Sequence, residues 1–243
     1  MPSETTLLYF YVACMAAGAL IVALWAREPR GVHREEYLVA ILIPVWSGIA
    51  YLAMAFGLGT VEVAGQTTYW ARYADWVVTT PLLLFALSMT AMHRLKKRNY
   101  LLIGSLVAAD VVMILSGLIG DLAPEPYGFV FFWIGVAALV IIFWLTWGPL
   151  RRLAASQGDD LGRVYTTVAA YLSIFWIGYP TVWALGPSGL GVLSQSTDTL
   201  LFVLLPIFSK VGFGLLDLSL LRRLSPTVAS NPALADDATA ALA

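Results

Sequence analysis

Two side chains of opposite charge, Lys210 and Asp75, lie deep inside apolar stretches of this sequence. A charge near the centre of a bilayer costs about 3 kcal/mol or more, so each side chain needs a compensating group. A buried lysine finds it in a carboxylate partner, or the amine itself changes by forming a Schiff base with an aldehyde. We expect Lys210 and Asp75 to pair, because they lie at comparable depths in antiparallel segments.

Asp75 shares one helical face with two other polar residues, because Arg72, Asp75 and Thr79 are spaced i, i+3, i+7. Arg72 lies one turn further outward and would add a second positive group. The alternative is a structural ion pair between Arg72 and Asp75 that only fixes helix packing. The corresponding alternative for Lys210 is snorkelling, in which the side chain extends its ammonium group to the membrane surface. Lys210 stands about ten residues from either end of its segment, which disfavours this alternative.

The segments that hold these side chains are long and apolar. The chain has 243 residues, of which 60% are hydrophobic and 12% charged, against about 25% charged in soluble domains. A helix satisfies its own backbone in lipid, and continuous apolar runs without alternation exclude a β-barrel. Since about 20 residues of helix cross a bilayer, the sequence predicts an all-α bundle of seven transmembrane helices. The predicted helices are 5–26, 35–56, 69–92, 100–120, 127–149, 164–186 and 198–221.

Basic residues collect on one side of the predicted membrane. Twelve of the fourteen Lys and Arg residues follow helices 1, 3, 5 and 7, whereas the N-terminus and the other connections hold none. By the positive-inside rule the N-terminus is extracellular and the C-terminus is cytoplasmic. The sequence therefore predicts a multi-pass protein of the plasma membrane, with one membrane domain over residues 1–224 and a disordered cytoplasmic tail over residues 225–243.

The polar connections add two expectations. Between helices 2 and 3, Val61 and Val63 alternate with other residues in a glycine-flanked stretch, which predicts a small hairpin.

His33 and His93 stand far apart in sequence and Cys14 is the single cysteine. Neither a histidine metal cluster nor a cysteine-rich metal site is expected, so no metal is predicted.

An aromatic stripe with a proline runs along the sixth predicted helix, at Trp176, Tyr179, Pro180 and Trp183. The spacing i, i+3, i+7 places the three rings on one face. Taken alone, such a stripe is more typical of helix packing than of a cofactor site. Next to a buried lysine, and with Trp76 from the third helix, it indicates the walls of an apolar slot for an elongated ligand.

Three motifs carry a family resemblance that extends over residues 5–223. Arg-Tyr-Ala-Asp-Trp-x-x-Thr-Thr-Pro on helix 3, Trp-x-x-Tyr-Pro-x-x-Trp on helix 6 and Ser-Lys-Val-Gly-Phe-Gly on helix 7 resemble the microbial (type 1) rhodopsins. The resemblance implies all-trans-retinal bound to Lys210 as a protonated Schiff base, with Asp75 as its counterion. It also implies a light-driven membrane protein rather than an enzyme. The other positions that it assigns to the retinal site are Trp76, Thr79, Thr80, Met113, Gly117, Trp176, Tyr179, Pro180, Trp183, Pro206 and Ser209, with Asp110 beside the ring pocket and Tyr51 in an external polar network.

Three positions choose a subclass within this resemblance. Pro206 stands one turn before the lysine, where outward proton pumps have an aspartate, and Ala86 stands where they have a cytoplasmic proton donor. Asp217 follows the lysine by seven residues, about 10 Å toward the cytoplasm by helix rise. This combination resembles the xenorhodopsin group, which includes the Anabaena sensory rhodopsin. Phe132 departs from it, since many relatives have a tryptophan there, and a looser slot is expected.

The resemblance and the charges together predict a light-driven inward proton pump. The proton of Lys210 would pass to Asp217 and leave past Glu36 to the cytoplasm. Reprotonation would come from outside, through the region of Asp75, Arg72, Tyr51 and Asp198.

Other functions are weighed against inward pumping. The main alternative is a photochromic sensory rhodopsin that signals to a soluble cytoplasmic partner with little net transport. A receptor or carrier without retinal is a third, and chloride or sodium pumping fits the third helix less well. The expected partners are the lipid bilayer, protons and, by analogy, two further copies in a trimer; nucleic acid is not among them.

Three acidic residues keep a second interpretation. Asp217 could be a solvated interfacial carboxylate beside Arg222 or Arg223. Asp198 could be the N-cap of helix 7, where aspartate is favoured in its own right. Asp110 could simply hydrogen-bond within the helix packing, which is favoured over a role in proton transfer.

Overall fold

Seven long apolar helices form the molecule. The computed structural model describes residues 3–63, 66–123 and 126–224, and seven helices in this part of the chain are long and apolar enough to cross a membrane. The predicted fold class is therefore confirmed, although α5 and α6 each extend several residues further than predicted at the connection between them. The predicted tail, residues 225–243, lies outside the described residues. The helices are α1 (Glu4–Trp25), α2 (Arg34–Ala55), α3 (Trp70–Ala91), α4 (Tyr100–Leu122), α5 (Tyr127–Ala155), α6 (Asp159–Leu185) and α7 (Gln195–Leu221).

The helix α3 lies at the centre of the bundle. Of its most apolar stretch 67% is buried inside the protein, against 44% or less for each of the other six helices. Helices that follow each other from α1 to α5 pack side by side, and α7 closes the ring by contacting α1, α2 and α6. A carboxylate on α3 is therefore surrounded by protein rather than by lipid.

Two helices contain a π-helical turn that the sequence patterns do not predict. In α5 it covers Thr146–Leu150 and includes Pro149; in α7 it covers Ile207–Gly212 and follows Pro206 directly. A proline has no backbone N–H to donate, and π-turns inside α-helices occur frequently at functional sites. The turn in α7 contains Lys210, so the backbone departs from regular helix at the residue whose charge is most expensive to bury.

The basic connections meet at one end of the bundle, here called the basic end. Arg94 on the connection after α3 bonds Asp160 at the start of α6, with Nη2 and Oδ2 2.6 Å apart. Arg98 donates to Glu35 at the start of α2 over 2.6 Å. Arg222 after α7 donates to carbonyl oxygens at the end of α1. The basic end comprises the connections 26–33, 92–99 and 156–158 and residues 222–224.

The other end of the bundle, here called the opposite end, holds the predicted hairpin. Its strands β1 (Val61–Val63) and β2 (Gln66–Thr68) pair antiparallel, which confirms the hairpin, although Gly65 between them lies outside the described residues. Burial raises the pKa of Tyr69 to about 12. Its hydroxyl group therefore keeps its proton at neutral pH and donates to Glu4 over 2.7 Å, which ties the start of α3 to α1.

Gly18 is a site at which the packing of α7 can be tested. A Cβ atom at Gly18 would lie 2.6 and 2.7 Å from the two Cγ atoms of Val211, whose β-branched side chain has little freedom to turn away. We expect Gly18→Ala to lower the free energy of unfolding by about 1–3 kcal/mol, the usual effect of overpacking.

Gly104→Ala is the matched control, because a Cβ atom at Gly104 meets nothing within 4 Å. In the second turn of α4 this change should be neutral or stabilise by up to about 1 kcal/mol through helix propensity. Thermal unfolding of both variants in one detergent, followed by circular dichroism, measures the difference. Equal midpoints for the two variants would contradict the close contact between α1 and α7.

Candidate functional site

Lys210 and Asp75 form a buried ion pair at the centre of the bundle. The Nζ atom of Lys210 donates to Oδ2 of Asp75 and, over 2.8 Å, to Oγ of Ser47. Ser47 Oγ donates to Asp75 Oδ2 over 2.9 Å, and Thr79 Oγ1 donates to Oδ1 over 3.2 Å. Lys210 is 2% exposed and Asp75 is fully buried. The structure thus joins the predicted pair and surrounds the carboxylate with hydroxyl donors, as a buried charge requires.

Ser47 and Tyr11 belong to this cluster, although sequence reasoning assigned no role to either. Since the single proton of Ser47 points to Asp75, the hydroxyl group of Tyr11, 2.5 Å from Ser47 Oγ, acts as the donor in that contact. The ring of Tyr11 stacks on Tyr51 with centroids 3.8 Å apart. The sequence signal that could have indicated this cluster is the pair Ser47 and Tyr51, which are spaced i, i+4 within an otherwise apolar helix.

Arg72 pairs with Asp198 rather than with Asp75. Its Nη1 atom lies 3.3 Å from Asp198 Oδ2, and its guanidinium group lies over the rings of Tyr69 and Phe202. The alternative of a structural Arg72–Asp75 ion pair is therefore wrong. Both partners are buried, and both lie toward the opposite end: Arg72 precedes Asp75 by one turn on α3, and Asp198 lies near the start of α7.

Asp198 is not the N-cap of α7. The helix begins at Gln195, and Ser194 is the N-cap, with its Oγ accepting from the backbone N–H of Thr197. Tyr51, expected in the external polar network, donates to the backbone oxygen of Phe202 beside this ion pair, over 3.0 Å. The Arg72–Asp198 pair and Tyr51 thus form a polar layer on α2, α3 and α7.

An apolar cavity of about 100 Å³ lies between α3, α4, α5, α6 and α7. Its walls include Phe132, which stacks on Trp183 with centroids 4.8 Å apart, and Trp76, which meets Tyr179 edge-on at 5.4 Å. Phe132 is therefore part of a packed wall. The looser slot that was expected at this position stays a prediction. Eight of the predicted retinal positions line the cavity: Trp76, Thr80, Met113, Gly117, Trp176, Tyr179, Pro180 and Trp183.

The remaining predicted positions lie beside the cavity rather than on its walls. Thr79 was expected along the polyene, but its hydroxyl group bonds Asp75 instead. Pro206 and Ser209 are buried in α7, and Ser209 Oγ lies 2.9 Å from the hydroxyl group of Tyr179. Because Ser209 precedes Lys210, this contact joins the cavity wall to the turn that carries the amine.

Two further carboxylates hold the walls of the cavity. Asp110 accepts from Thr80 over 2.7 Å, in agreement with the helix-packing interpretation of this residue. Asp121, which sequence reasoning missed, accepts from the hydroxyl group of Tyr73 over 2.7 Å and from the indole N–H of Trp183 over 2.6 Å. These bonds fix three wall residues, Thr80, Tyr73 and Trp183, because each donor has a carboxyl oxygen as its acceptor.

Asp217 lies on the side of Lys210 that faces the basic end. It is 3% exposed and accepts from Thr90 Oγ1 over 2.8 Å. The interpretation as a solvated carboxylate beside Arg222 is wrong, because Arg222 donates to backbone oxygens at the end of α1 and to the hydroxyl group of Tyr37. Among the described residues, no cation forms an ion pair with Asp217.

His33 and His93 come together at the basic end, so the expectation that they lie apart is wrong. Their Nδ1 atoms lie 3.2 and 3.1 Å from the same oxygen, Oε1 of Glu36. His33 precedes α2 and His93 follows α3, so only the packing of these two helix ends makes the cluster. The sequence carried no local signal for it, because 60 positions separate the two histidines.

Known proteins resemble this chain over most of its length. A family model described as bacteriorhodopsin-like protein matches residues 2–224. Archaerhodopsin-2 of Halobacterium sp. (strain aus-2) is 38% identical over 215 residues, which cover 86% of this chain and 81% of that protein. Sensory rhodopsin-2 of Natronomonas pharaonis is 31% identical over 218 residues, which cover 90% and 89%.

Two solved structures share the fold. The thermophilic rhodopsin from Rubrobacter xylanophilus has a TM-score of 0.84 and 35% identity, covering 98% of this chain and 100% of that chain. The light-driven proton pump Coccomyxa subellipsoidea rhodopsin CsR has a TM-score of 0.80 and 27% identity, covering 89% and 96%.

Seven membrane-spanning helices around a buried lysine and an apolar slot define a retinal-binding integral membrane protein. The chain belongs to the bacteriorhodopsin-like family of microbial rhodopsins. It is a multi-pass protein of the cell membrane, and its relatives are rhodopsin pumps and sensors rather than enzymes, as predicted.

The residues present fit retinal, the cofactor of this family. The slot is lined by rings and aliphatic groups, and the Tyr179–Ser209 contact joins its wall to the turn of α7 in which the amine of Lys210 meets a carboxylate. Lys210 would hold retinal through a Schiff base, and the cofactor would supply a light-absorbing polyene that can isomerise. The chain itself supplies the dry walls, the counter-charge of Asp75 and the hydroxyl groups that hold the proton at Nζ.

We expect Lys210→Ala to abolish the visible absorption band of protein reconstituted with all-trans-retinal, because this lysine supplies the buried amine in the turn that Ser209 joins to the cavity wall. Lys96→Ala is the control, since Lys96 is exposed at the basic end. Absorption spectra of both purified variants, with circular dichroism to show that each is folded, make the comparison. A band of normal strength in Lys210→Ala would rule out this lysine as the attachment point.

Proposed function

We propose that this protein is a light-driven inward proton pump whose basic end faces the cytoplasm. The observation that carries the proposal is Asp217, a buried carboxylate without a cationic partner among the described residues, on the basic-end side of Lys210. The positive-inside rule supports the orientation, because twelve of the fourteen basic residues lie in the connections at that end or in the adjoining turns of α2, α5 and α6.

In the dark the proton on Nζ of Lys210 is held toward the opposite end. Asp75 and Ser47 both accept from this nitrogen, and Thr79 supports the carboxylate from its other oxygen. When the N–H turns away after photon absorption, the proton loses these acceptors. Accessible bases on the two sides of Lys210 then decide the direction of transfer.

On the basic-end side of Lys210, Asp217 can accept a proton, and position 86 provides no proton donor. Asp217 lies seven residues beyond Lys210 on the same helix, about 10 Å by helix rise, and Thr90 holds its carboxyl group in place. Ala86 stands among buried Leu83 and Leu87 in an apolar cluster, so this position provides no proton to send back. A proton that reaches Asp217 removes a buried negative charge, which favours transfer in this direction.

Exit and return of the proton use groups at the two ends of the bundle. Glu36 is buried near Asp217, close enough for the two carboxylates to interact electrostatically, and it adjoins the exposed His33. This arrangement supports proton exit past Glu36 to the cytoplasm. At the other side, the polar layer of Arg72, Asp198 and Tyr51 supports reprotonation by way of Asp75.

The relatives of this chain support proton transport as its function, but they do not support a direction of that transport. The Coccomyxa relative is a light-driven proton pump, which supports proton transport by this fold. Pro206 before the lysine and Asp217 after it support membership of the xenorhodopsin group within the family. We also propose a trimer, by analogy with relatives alone.

A photochromic sensor is the second candidate function. It is favoured by the 31% identity to sensory rhodopsin-2 of Natronomonas pharaonis over 90% of the chain. In a sensor, movement of the Asp217 region would be transmitted to a soluble partner at the basic end, with little net transport. The two functions share their early steps and differ in proton flux.

Illumination of intact cells that contain the retinal-loaded protein tests the pump directly. Inward transport takes protons from the medium, so the external pH should rise in the light, and a protonophore should abolish the rise. We expect Asp217→Asn to reduce this signal at least about tenfold, because an amide cannot accept the proton as a carboxylate does. Infrared difference spectra of the wild type should show a carboxyl group that gains a proton and is missing in Asp217→Asn.

Asp160→Asn is the matched control for Asp217. It replaces another aspartate near the basic end, one that is partly exposed and paired with Arg94, and should leave the flux unchanged. A complete photocycle without any pH change would exclude the pump and favour the sensor. Acidification of the medium would show outward transport, and unchanged inward flux in Asp217→Asn would remove this residue as the acceptor.

A further inference from the structure

Three potential metal ligands meet where α2 begins and α3 ends. One donor atom from each of His33, Glu36 and His93 lies within 4.8 Å of the others. The two imidazole Nδ1 atoms approach Oε1 of Glu36 at 3.2 and 3.1 Å, and the ring centroids are 5.2 Å apart. Neither histidine is required by the retinal site, and neither takes part in the proton transfer from Lys210 to Asp217.

These separations match those between ligands of one small ion. Around a tetrahedral zinc ion with ligands at about 2.1 Å, neighbouring donor atoms lie roughly 3.4 Å apart. The two His–Glu distances are already close to this value. His33 has a side chain that is 51% exposed, so it can turn to close the remaining gap without disturbing the packed residues.

A second observation at the same place concerns the other carboxylate oxygen of Glu36. Glu36 is 3% exposed, yet its Oε2 atom has no hydrogen-bond partner in the part of the chain that the structure describes. A buried carboxylate oxygen without a partner is costly, and a cation would compensate for it. Arg98, a cation on this face, pairs with the exposed carboxylate of Glu35.

We infer that His33, Glu36 and His93 form a binding site for a divalent transition-metal ion of the zinc type at the basic end. Two imidazole nitrogens and one carboxylate suit zinc, copper or nickel, whereas calcium and magnesium prefer oxygen ligands. Three protein ligands leave a fourth position for water, and the 51% exposure of His33 provides the entry route.

The bound ion would connect two helices and occupy the proposed proton exit. It would join the start of α2 to the end of α3, one turn beyond Thr90, which holds Asp217. Occupation of Glu36 by a metal removes it as a route for protons to the cytoplasm. This consequence rests on the proposed function, whereas metal binding itself does not.

Binding is measured on the retinal-loaded, full-length protein in detergent, purified with an affinity tag that contains no histidine. Calorimetric titration with zinc chloride should show one ion per chain, and cobalt chloride should give the visible absorption of a tetrahedral site. We expect His33→Gln, His93→Gln and Glu36→Gln each to weaken zinc binding at least about tenfold. Glu35→Gln is the matched control, because Glu35 is adjacent in sequence but faces Arg98, and its affinity should equal that of the wild type.

Two results would overturn the inference. One is the absence of saturable binding at zinc concentrations up to about 1 mM. The other is equal affinity in the wild type and in Glu36→Gln, since the ion would then bind elsewhere. Unchanged retinal absorption in each variant shows that the fold is intact.

Vesicles of known orientation separate the metal site from the proposed exit route. Zinc added at the basic end should reduce the light-driven pH change of the wild type, a chelator should restore it, and the double variant His33→Gln/His93→Gln should respond less to zinc. If zinc binds as described but leaves the flux unchanged, protons do not leave past Glu36. In that case the metal site stands and the exit route is wrong.

Discussion

The buried ion pair of Lys210 and Asp75 is the interaction on which the rest of the structure depends. Removing one partner of such a pair costs about 3–5 kcal/mol, because the other charge remains desolvated. The carboxylate of the pair lies on α3, the most buried helix, and hydroxyl groups from α2 and α3 bond it, while Tyr11 of α1 bonds the hydroxyl group of Ser47. The π-turn in α7 lies at the same place and includes the lysine.

Charges along the axis of the bundle are compensated unequally on the two sides of this pair. Toward the opposite end, Arg72 and Asp198 form an ion pair, and Tyr51 adds a hydroxyl group. Toward the basic end, Asp217 and Glu36 are both buried, and the groups that bond them are a hydroxyl group and imidazoles. The axis therefore has an ion pair on one side of Lys210 and carboxyl groups bonded by Thr90, His33 and His93 on the other, an asymmetry that the proposed pump would use.

Sequence reasoning predicted those features that depend on composition or on spacing within one helix. The seven helices follow from apolar length, the Lys210–Asp75 pair from matched depth, and the aromatic wall from the i, i+3, i+7 spacing on α6. It failed where the partner is chosen by packing between helices. The alternative that paired Arg72 with the nearer charge, Asp75, is wrong, because the rotation of α7 that presents Asp198 is not encoded in either segment alone.

Short polar side chains and helix ends account for the other omissions. Ser47 is one hydroxyl group in an apolar helix, and nothing in α2 indicates that α3 and α7 place a carboxylate and an amine beside it. The histidine cluster exists only because the start of α2 and the end of α3 meet. The π-turns depend on backbone hydrogen bonding around Pro149 and Pro206.

The lack of a cation beside Asp217 is itself a product of packing at the basic end. Arg222 follows Asp217 by five residues and could in principle turn toward it. It is held instead by the backbone oxygens of Trp25 and Glu28 and by Tyr37, whose hydroxyl group in turn donates to Pro29. The connection between α1 and α2 thus keeps the guanidinium group away from the carboxylate. A salt bridge there would hold Asp217 as a permanent anion with a fixed partner. In the described part of the chain its carboxyl group is bonded by Thr90 instead, and this is the group to which the proposed pump passes the proton of Lys210.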